Sequence, residues 1–307
     1  MAKYLAIAGA SNYGWKEMKI WVRSLKMSGF DGDIVIVATN ITKETVEKLV
    51  SEGVKVELYG KYNEHTNTYV NESNMPPHVE RMLYIWNYLH KTAGEYDFVL
   101  TTDIRDVLFQ SNPIDYYEAN PGFLLASSEH VHYKDEPWNN QNLMQAFGPF
   151  FHEKYKHMLV HNVGVLMGNI NFVKDLLFMI FQMSQGRPIP VVDQVVYNIL
   201  LQQYPIGKQT NFTDNHSAWA AQLGTTEEAV KSGSGDLGAM YKNNMDEYYK
   251  IYRGPQPRLD DNGYVVNANG VPFCVVHQYD RTHAWKNKII ARYDDNEETV
   301  ETWVYGH

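Results

Sequence analysis

The chain has 307 residues, 44% of them hydrophobic, which is enough apolar mass to bury a sizeable core in one large domain or two. Its net charge of -9, from 27 Lys+Arg against 36 Asp+Glu, excludes a general binder of nucleic-acid backbones, which needs clustered cations, but leaves room for a small phosphorylated ligand held through a divalent metal. The single Cys274 excludes an intramolecular disulfide and a cysteine zinc framework. No stretch reaches the ~18 apolar residues of a membrane span, and the opening apolar run is too short for a secretory leader, so a soluble, cytoplasmic chain is expected.

Taken in chain order, residues 3–9 (KYLAIAG) read as a buried strand, 9–14 as a small-residue loop and 15–28 as an amphipathic helix. The loop carries neither a G-x-G-x-x-G fingerprint nor a Walker signature. Residues 33–39 (DIVIVAT) are a second strand, Thr42 caps a helix that Gly53 ends, and 54–58 are a third strand. Strands alternating with helices imply parallel βαβ units in a doubly wound α/β sheet. A polar loop over 60–77 leads into a helix from His78 with Arg81 on its first turn.

The stretch 96–113 (YDFVLTTDIRDVLFQSNP) sets an apolar strand against Asp103, Arg105 and Asp106. In open α/β sheets, ligands bind at the carboxyl ends of strands. These carboxylates either cap the turn after the strand or hold a cation that resolves their mutual repulsion. A turn starting at Asn112-Pro113 precedes another apolar run at 122–127. Residues 130–156, with His130, His132, Trp138 and His152, read as a solvated or substrate-facing loop whose histidine spacing fits no zinc pattern. In the strand at 158–169 (MLVHNVGVLMGN), Gly164 signals close approach by a ligand or another backbone. Residues 171–182 form a core helix, and another helix begins near Asp193. Beyond Gly207 the segments are short. Turns at Asn262-Gly263 and Asn269-Gly270 imply a small β-hairpin that continues through 271–276 and emerges at His277. The expectation is one domain over 1–307, with a core of about 1–206 and a C-terminal elaboration of about 207–307.

Four fragments in this order carry a family likeness: Arg81 in a helix, TTDIRD at 101–106, HNVGVLMGN at 161–169 with VVDQVVYN at 191–198, and VVHQYDR at 275–281. Together they resemble nucleotide-sugar-dependent glycosyltransferases of the GT-A fold, in layout the glycogenin and galactosyltransferase type of family 8. The specificity of the resemblance, which spans roughly residues 3–290, lies in order and spacing. It implies a Rossmann-like, mainly parallel sheet flanked by helices. It also implies transfer of a sugar, with retention, from a UDP- or GDP-linked donor to a hydroxyl on a glycan, protein or small molecule, with Mn²⁺ or Mg²⁺ as cofactor.

By that resemblance Asp103 and His277 are metal ligands. Arg105 stands at the family's second acidic position, so either Asp106 serves as the ligand, or Arg105 faces away or supplies part of the cation's charge toward the donor. Asn162 and Gly164 would line the donor sugar, Asp193 would orient it, and Gln194 would approach the anomeric carbon. Arg81 would contact the donor, while Gly9, Asn12, Tyr13 and Thr39 would hold base and ribose. Asp280 and His283 occupy the family's usual Gly and Lys positions, which leaves Arg281 or Lys286 for a phosphate contact. Two rivals remain: a sugar-1-phosphate nucleotidyltransferase, whose first loop is normally Gly-rich and basic, and a catalytically silent nucleotide-sugar- or carbohydrate-binding protein of the same fold. The loop at 9–14 has no basic residue.

Overall fold

The computed structural model describes residues 2–294; the end of the expected C-terminal elaboration, 295–307, lies outside the described residues. The first elements are β1 (Tyr4–Ser11), α1 (Trp15–Met27), β2 (Asp33–Thr39), β3 (Ile41–Thr42), α2 (Lys43–Ser51), β4 (Lys55–Leu58), β5 (Lys61–Asn63), β6 (Thr68–Val70), α3 (Pro77–Lys91) and β7 (Phe98–Thr102). Next come β8 (Val107–Phe109), α4 (Pro113–Ala119), β9 (Leu124–His132), α5 (Pro137–Tyr155), β10 (Leu159–Asn169), α6 (Ile170–Ser184) and α7 (Asp193–Leu201). The remainder is β11 (Thr210–Thr213), β12 (Ala220–Gln222), α8 (Glu227–Ser232), α9 (Gly235–Tyr241), α10 (Met245–Ile251), β13 (Arg258–Leu259), β14 (Val265–Val266), β15 (Val275–His277) and α11 (His283–Ile290).

The central sheet is mixed and mostly parallel, in the order β11-β9-β10-β7-β1-β2-β4. Only β10 runs against the other strands. The chain steps from β1 outward through β2 to β4 on one side and returns to β7 on the other. The switch point therefore lies between β1 and β7, and a crevice opens beyond their carboxyl ends.

Side-chain alternation divides the core into two layers. Leu5, Ile7, Val35, Val37 and Val99 point to the face covered by α3, α6 and α7, whereas Ala6, Ala8, Ile36, Ala38 and Leu100 point to the face covered by α1. The small alanines on that second face let α1 sit close, with Met18, Trp21, Val22 and Leu25 buried at helical spacing. Trp21 also donates its indole N–H to Thr102 Oγ1 at 2.7 Å, which ties α1 to the last residue of β7. Across the sheet, Val79, Met82, Ile85 and Leu89 of α3 meet α6, where Trp86 stacks on Phe178 with ring centroids 4.5 Å apart.

Thr42 caps α2 as expected, its hydroxyl accepting from Thr45 N–H at 3.2 Å. Thr42→Ala orphans that donor and costs about 1 kcal/mol in a urea melt; a loss under about 0.3 kcal/mol would show the cap to be idle.

Several local expectations are corrected. The polar stretch at 60–77 holds the β5–β6 hairpin, which pairs with β3. Helix α3 begins at Pro77, so Arg81 lies on its second turn. Asn112 begins a helix, α4, by accepting from Ile114 N–H at 3.0 Å. The stretch at 130–156 is no loop: β9 runs on through His132, and α5 follows, capped by the Glu136 carboxylate on Asn139 N–H at 2.6 Å. Its helical period is hidden because Gly148, at φ 76°, and Pro149 kink the helix and shift the phase of the apolar residues.

The hairpin after Gly207 exists as β13 and β14, with a further antiparallel bridge from Val266 to Pro272. However, β15 leaves that hairpin to become the centre of a separate sheet, β12-β15-β8. A third apolar cluster, with Leu108, Val265, Phe273 and Val276, seats this small sheet. No helix of the described residues is long and apolar enough to cross a membrane.

Candidate metal and donor site

The link between the two sheets builds the site. Strand β7 ends at Thr102, and residues 103–106 turn into β8, so the acidic stretch spans the junction of the large and small sheets. In the small sheet His277, the last residue of β15, lies opposite Val107 on one side and opposite Gln222 on the other. This register sets His277 beside Asp106. Its Nε2 is 3.4 Å from Asp103 Oδ2 and 3.6 Å from Asp106 Oδ1. One donor atom from each of the three residues lies within 4.8 Å of the others.

The far side of the imidazole is fixed. His277 Nδ1 and Gln222 Oε1 are 2.7 Å apart, and Gln222 Nε2 donates to Ser127 Oγ at 2.6 Å. The amide oxygen therefore accepts from Nδ1–H, which turns the other ring nitrogen toward the carboxylates, the arrangement that orients a metal-binding histidine. Burial alone would lower the His277 pKa, but Asp106 and Asp103 raise it to about 10. In turn, although burial penalises their charge, Arg81 and His277 hold Asp103 below the usual carboxylate range, and His277 does the same for Asp106.

Two oxygens and one imidazole nitrogen are a suitable hard donor set for Mn²⁺ or Mg²⁺. Neighbouring ligands around such an ion with bonds of ~2.1 Å sit about 3 Å apart. The His277 separations of 3.4 and 3.6 Å lie close to that, and all three donor atoms lie within 4.8 Å of one another, so the residues fit a divalent cation.

Gly164 leaves room for this cluster. A Cβ there would lie 2.6 Å from His277 Cε1 and 2.7 Å from Asp103 Oδ2, while the Gly164 carbonyl accepts from Asp103 N–H at 2.8 Å. The close approach expected from the sequence is thus to the acidic group itself. Asn162 Oδ1 accepts from Gly164 N–H at 2.7 Å and Asn162 Nδ2 donates to Glu129 at 2.6 Å, so this side chain braces the strand behind the cluster.

Arg81 links the remaining candidates. It pairs with Asp103 and, at 3.2 Å through Nη2, with Asp193. Burial opposes its charge, but the two carboxylates more than offset that penalty. Its stem packs against Gly9 at the end of β1, where an added Cβ would come within 2.8 Å of Arg81 Cβ. Asn12, at φ 58°, donates its backbone N–H to the Thr39 carbonyl at 3.3 Å, which joins the first loop to the end of β2. Tyr13 lies close enough to Arg105, Asp106 and Asp103 to feel their charges, while burial raises its pKa. Asp193 and Gln194 open α7 and are both buried.

Arg105 does not displace Asp106 from the cluster. It reaches Asp280 at 3.3 Å and lies 3.9 Å from Asp106 Oδ2. Arg281 Nε pairs with the other Asp280 oxygen at 3.4 Å. Lys286 lies on α11, and its side chain makes no hydrogen bond or ion pair among the described residues, so the structure does not join it to the cluster.

Three supporting side chains were not singled out from the sequence: Gln222, Glu129 and Asn139. Glu129 is a carboxylate inside a buried strand, LLASSEHVH, but the serines and histidines around it made the strand's end read as polar. Burial raises its pKa, and hydrogen bonds from Asn162 and Gln194 together with the His277 charge partly offset that. Burial also pushes Glu136 up to about 7. The chain matches neither a protein-family model nor a curated protein.

His161, two residues before Val163, gives a pH prediction. It is buried, and burial lowers its pKa to about 4. Between pH 6.5 and 4 the unfolded chain takes up a proton here that the folded chain refuses, so stability falls as pH falls, by about 3 kcal/mol over that window. Glu136 shifts in the opposite direction and contributes with the opposite sign. Urea melts of wild type and His161→Gln at pH 7 and pH 4 isolate the histidine: their stability difference should change by about 3 kcal/mol. A pH-independent difference would contradict this.

Proposed function

We propose that the chain is a glycosyltransferase that moves a sugar from a nucleoside-diphosphate donor to a hydroxyl acceptor, with Mn²⁺ or Mg²⁺ held by Asp103, Asp106 and His277. The observation that carries this reading is the Asp–Asp–His group at the carboxyl end of β7, beside the β1/β7 switch point, with Arg81 joining it to Asp193. When bound, the cation neutralises the charge on a diphosphate leaving group as a Lewis acid. Arg81 fixes the orientations of Asp103 and Asp193, so the cluster and the start of α7 keep a constant separation. Asp193 and Gln194 orient the donor sugar, and Gly164 leaves room for the His277 and Asp103 side chains that hold the cation. The first loop and Thr39 hold the nucleoside, and Arg105, with Arg281, adds positive charge on the diphosphate side. The proposed chemistry is GT-A-like and retaining, and the acceptor is a glycan, protein or small molecule.

Isothermal titration with UDP, GDP and their sugar conjugates, in Mn²⁺ and again in EDTA, tests this. Metal-dependent binding followed by turnover is the expected result. No binding under either condition would sink the proposal, and binding without hydrolysis or transfer would instead mark a silent nucleotide-sugar-binding protein. Pyrophosphate release from a nucleoside triphosphate and a sugar 1-phosphate would point to a nucleotidyltransferase.

A further inference from the structure

Gln194 lies in the first turn of α7, and its side-chain amide is held by Asn139. Nε2 donates to Asn139 Oδ1 at 3.0 Å, while the Glu129 carboxylate nearby accepts from Asn162 Nδ2 at 2.6 Å. A primary amide has two N–H donors and one carbonyl. With Nε2 turned toward Asn139, Oε1 is the end left for a ligand, and it accepts no hydrogen bond among the described residues. Asn139 is itself immobilised: it is 2% exposed, and its backbone N–H goes to Glu136 at 2.6 Å.

We propose that Asn139 is a positioning residue that locks the Gln194 amide so that its carbonyl oxygen, and not its N–H edge, faces the sugar of the donor. The inference rests on the transferase reading. As the sugar–diphosphate bond lengthens, positive charge grows at the anomeric carbon. An amide oxygen aimed there stabilises that charge, whereas a flipped amide would present hydrogens and oppose it. Asn139 therefore acts on the rate of bond breaking and not on donor affinity. It touches neither the nucleotide pocket residues nor the cation ligands.

The test uses the full-length protein with Mn²⁺ and the donor that wild type hydrolyses among UDP-glucose, UDP-galactose, UDP-N-acetylglucosamine and GDP-mannose, read as nucleoside-diphosphate release. Asn139→Leu should lower kcat by on the order of 10–100-fold, with KM and calorimetric binding of the nucleoside diphosphate changed less than about 3-fold. In the Gln194→Leu background the same substitution should cost nothing further, because residues acting through one group are not additive. An unchanged kcat, a loss confined to KM, or additive losses in the double variant overturns the proposal. Where Asn139→Leu melts well below wild type, the smaller and still polar Asn139→Ser carries the same comparison. A wild type that neither binds nucleotide nor turns over any donor overturns the transferase reading and this inference with it. A normally active wild type with an equally active Asn139→Leu overturns this inference alone.

Discussion

On the proposed function, Asp103→Asn and His277→Gln are each expected to lower Mn²⁺ affinity by about 100-fold or more, equivalent to about 2.7 kcal/mol, and to abolish metal-dependent nucleotide binding. Each removes one of the three donors that converge within 4.8 Å. Asn at 103 keeps the side-chain volume, and Arg81 keeps its 3.2 Å pair with Asp193, so the buried guanidinium is not left without a counter-charge. Gln at 277 keeps a polar group within reach of Gln222 but removes the imidazole nitrogen. The measurement is a Mn²⁺ titration by calorimetry, supported by melting. Wild type at 100 times its Kd should gain about 2.7 kcal/mol from the cation, and the variants almost none at the same concentration. Unaltered Mn²⁺ affinity in both variants would remove the site.

Gly164→Ala is expected to damage the same site while leaving all three candidate ligands in the sequence. The new methyl would sit 2.6 Å from His277 Cε1, 2.7 Å from Asp103 Oδ2 and 2.8 Å from Asn162 Oδ1. All three neighbours are constrained: His277 by Gln222, Asp103 by Arg81, and Asn162 by Glu129 and by the Gly164 N–H. The strand must shift or the cluster must spread, which costs about 1–3 kcal/mol of stability. Cation affinity should fall by about 100-fold as the donor atoms move apart. Urea melts report the first effect and Mn²⁺ calorimetry the second. A fully stable Gly164→Ala with wild-type cation affinity would show that the backbone gives way easily and that glycine is not required here.

The strands that build the central sheet were legible because each is a compact apolar run. Residues 33–39 form β2 to the residue, and the 98–102 segment is β7. Helices α1, α3 and α6 were legible because their apolar residues recur at one period. Where the period breaks, the reading failed. The Gly148 kink in α5 turned a helix into an apparent loop and hid Asn139. The β5–β6 hairpin was obscured because its strands are three residues each, β5 exposed and β6 only half-buried, too short to show an alternating face.

By itself the sequence determined the α/β class, the acidic end of β7, a glycine in β10 that marks a close approach, and the residue types able to bind a cation. These are local properties, set by alternation, by charge spacing and by the absence of a side chain. Which charges meet was decided only by tertiary structure. Asp106 and not Arg105 joins the cluster because β8 pairs with β15 in a register that sets His277 opposite Val107, while Arg105 turns to Asp280. Gln222 stands behind His277 because β12 pairs with the other edge of β15. Strand register is fixed by apolar side chains that must share one buried face, here Leu108, Val265, Phe273 and Val276, and they lie up to 168 residues apart in the chain (276 − 108). No local pattern encodes a pairing over that distance, so the candidate metal site exists in the sequence as two unconnected halves until the small sheet closes.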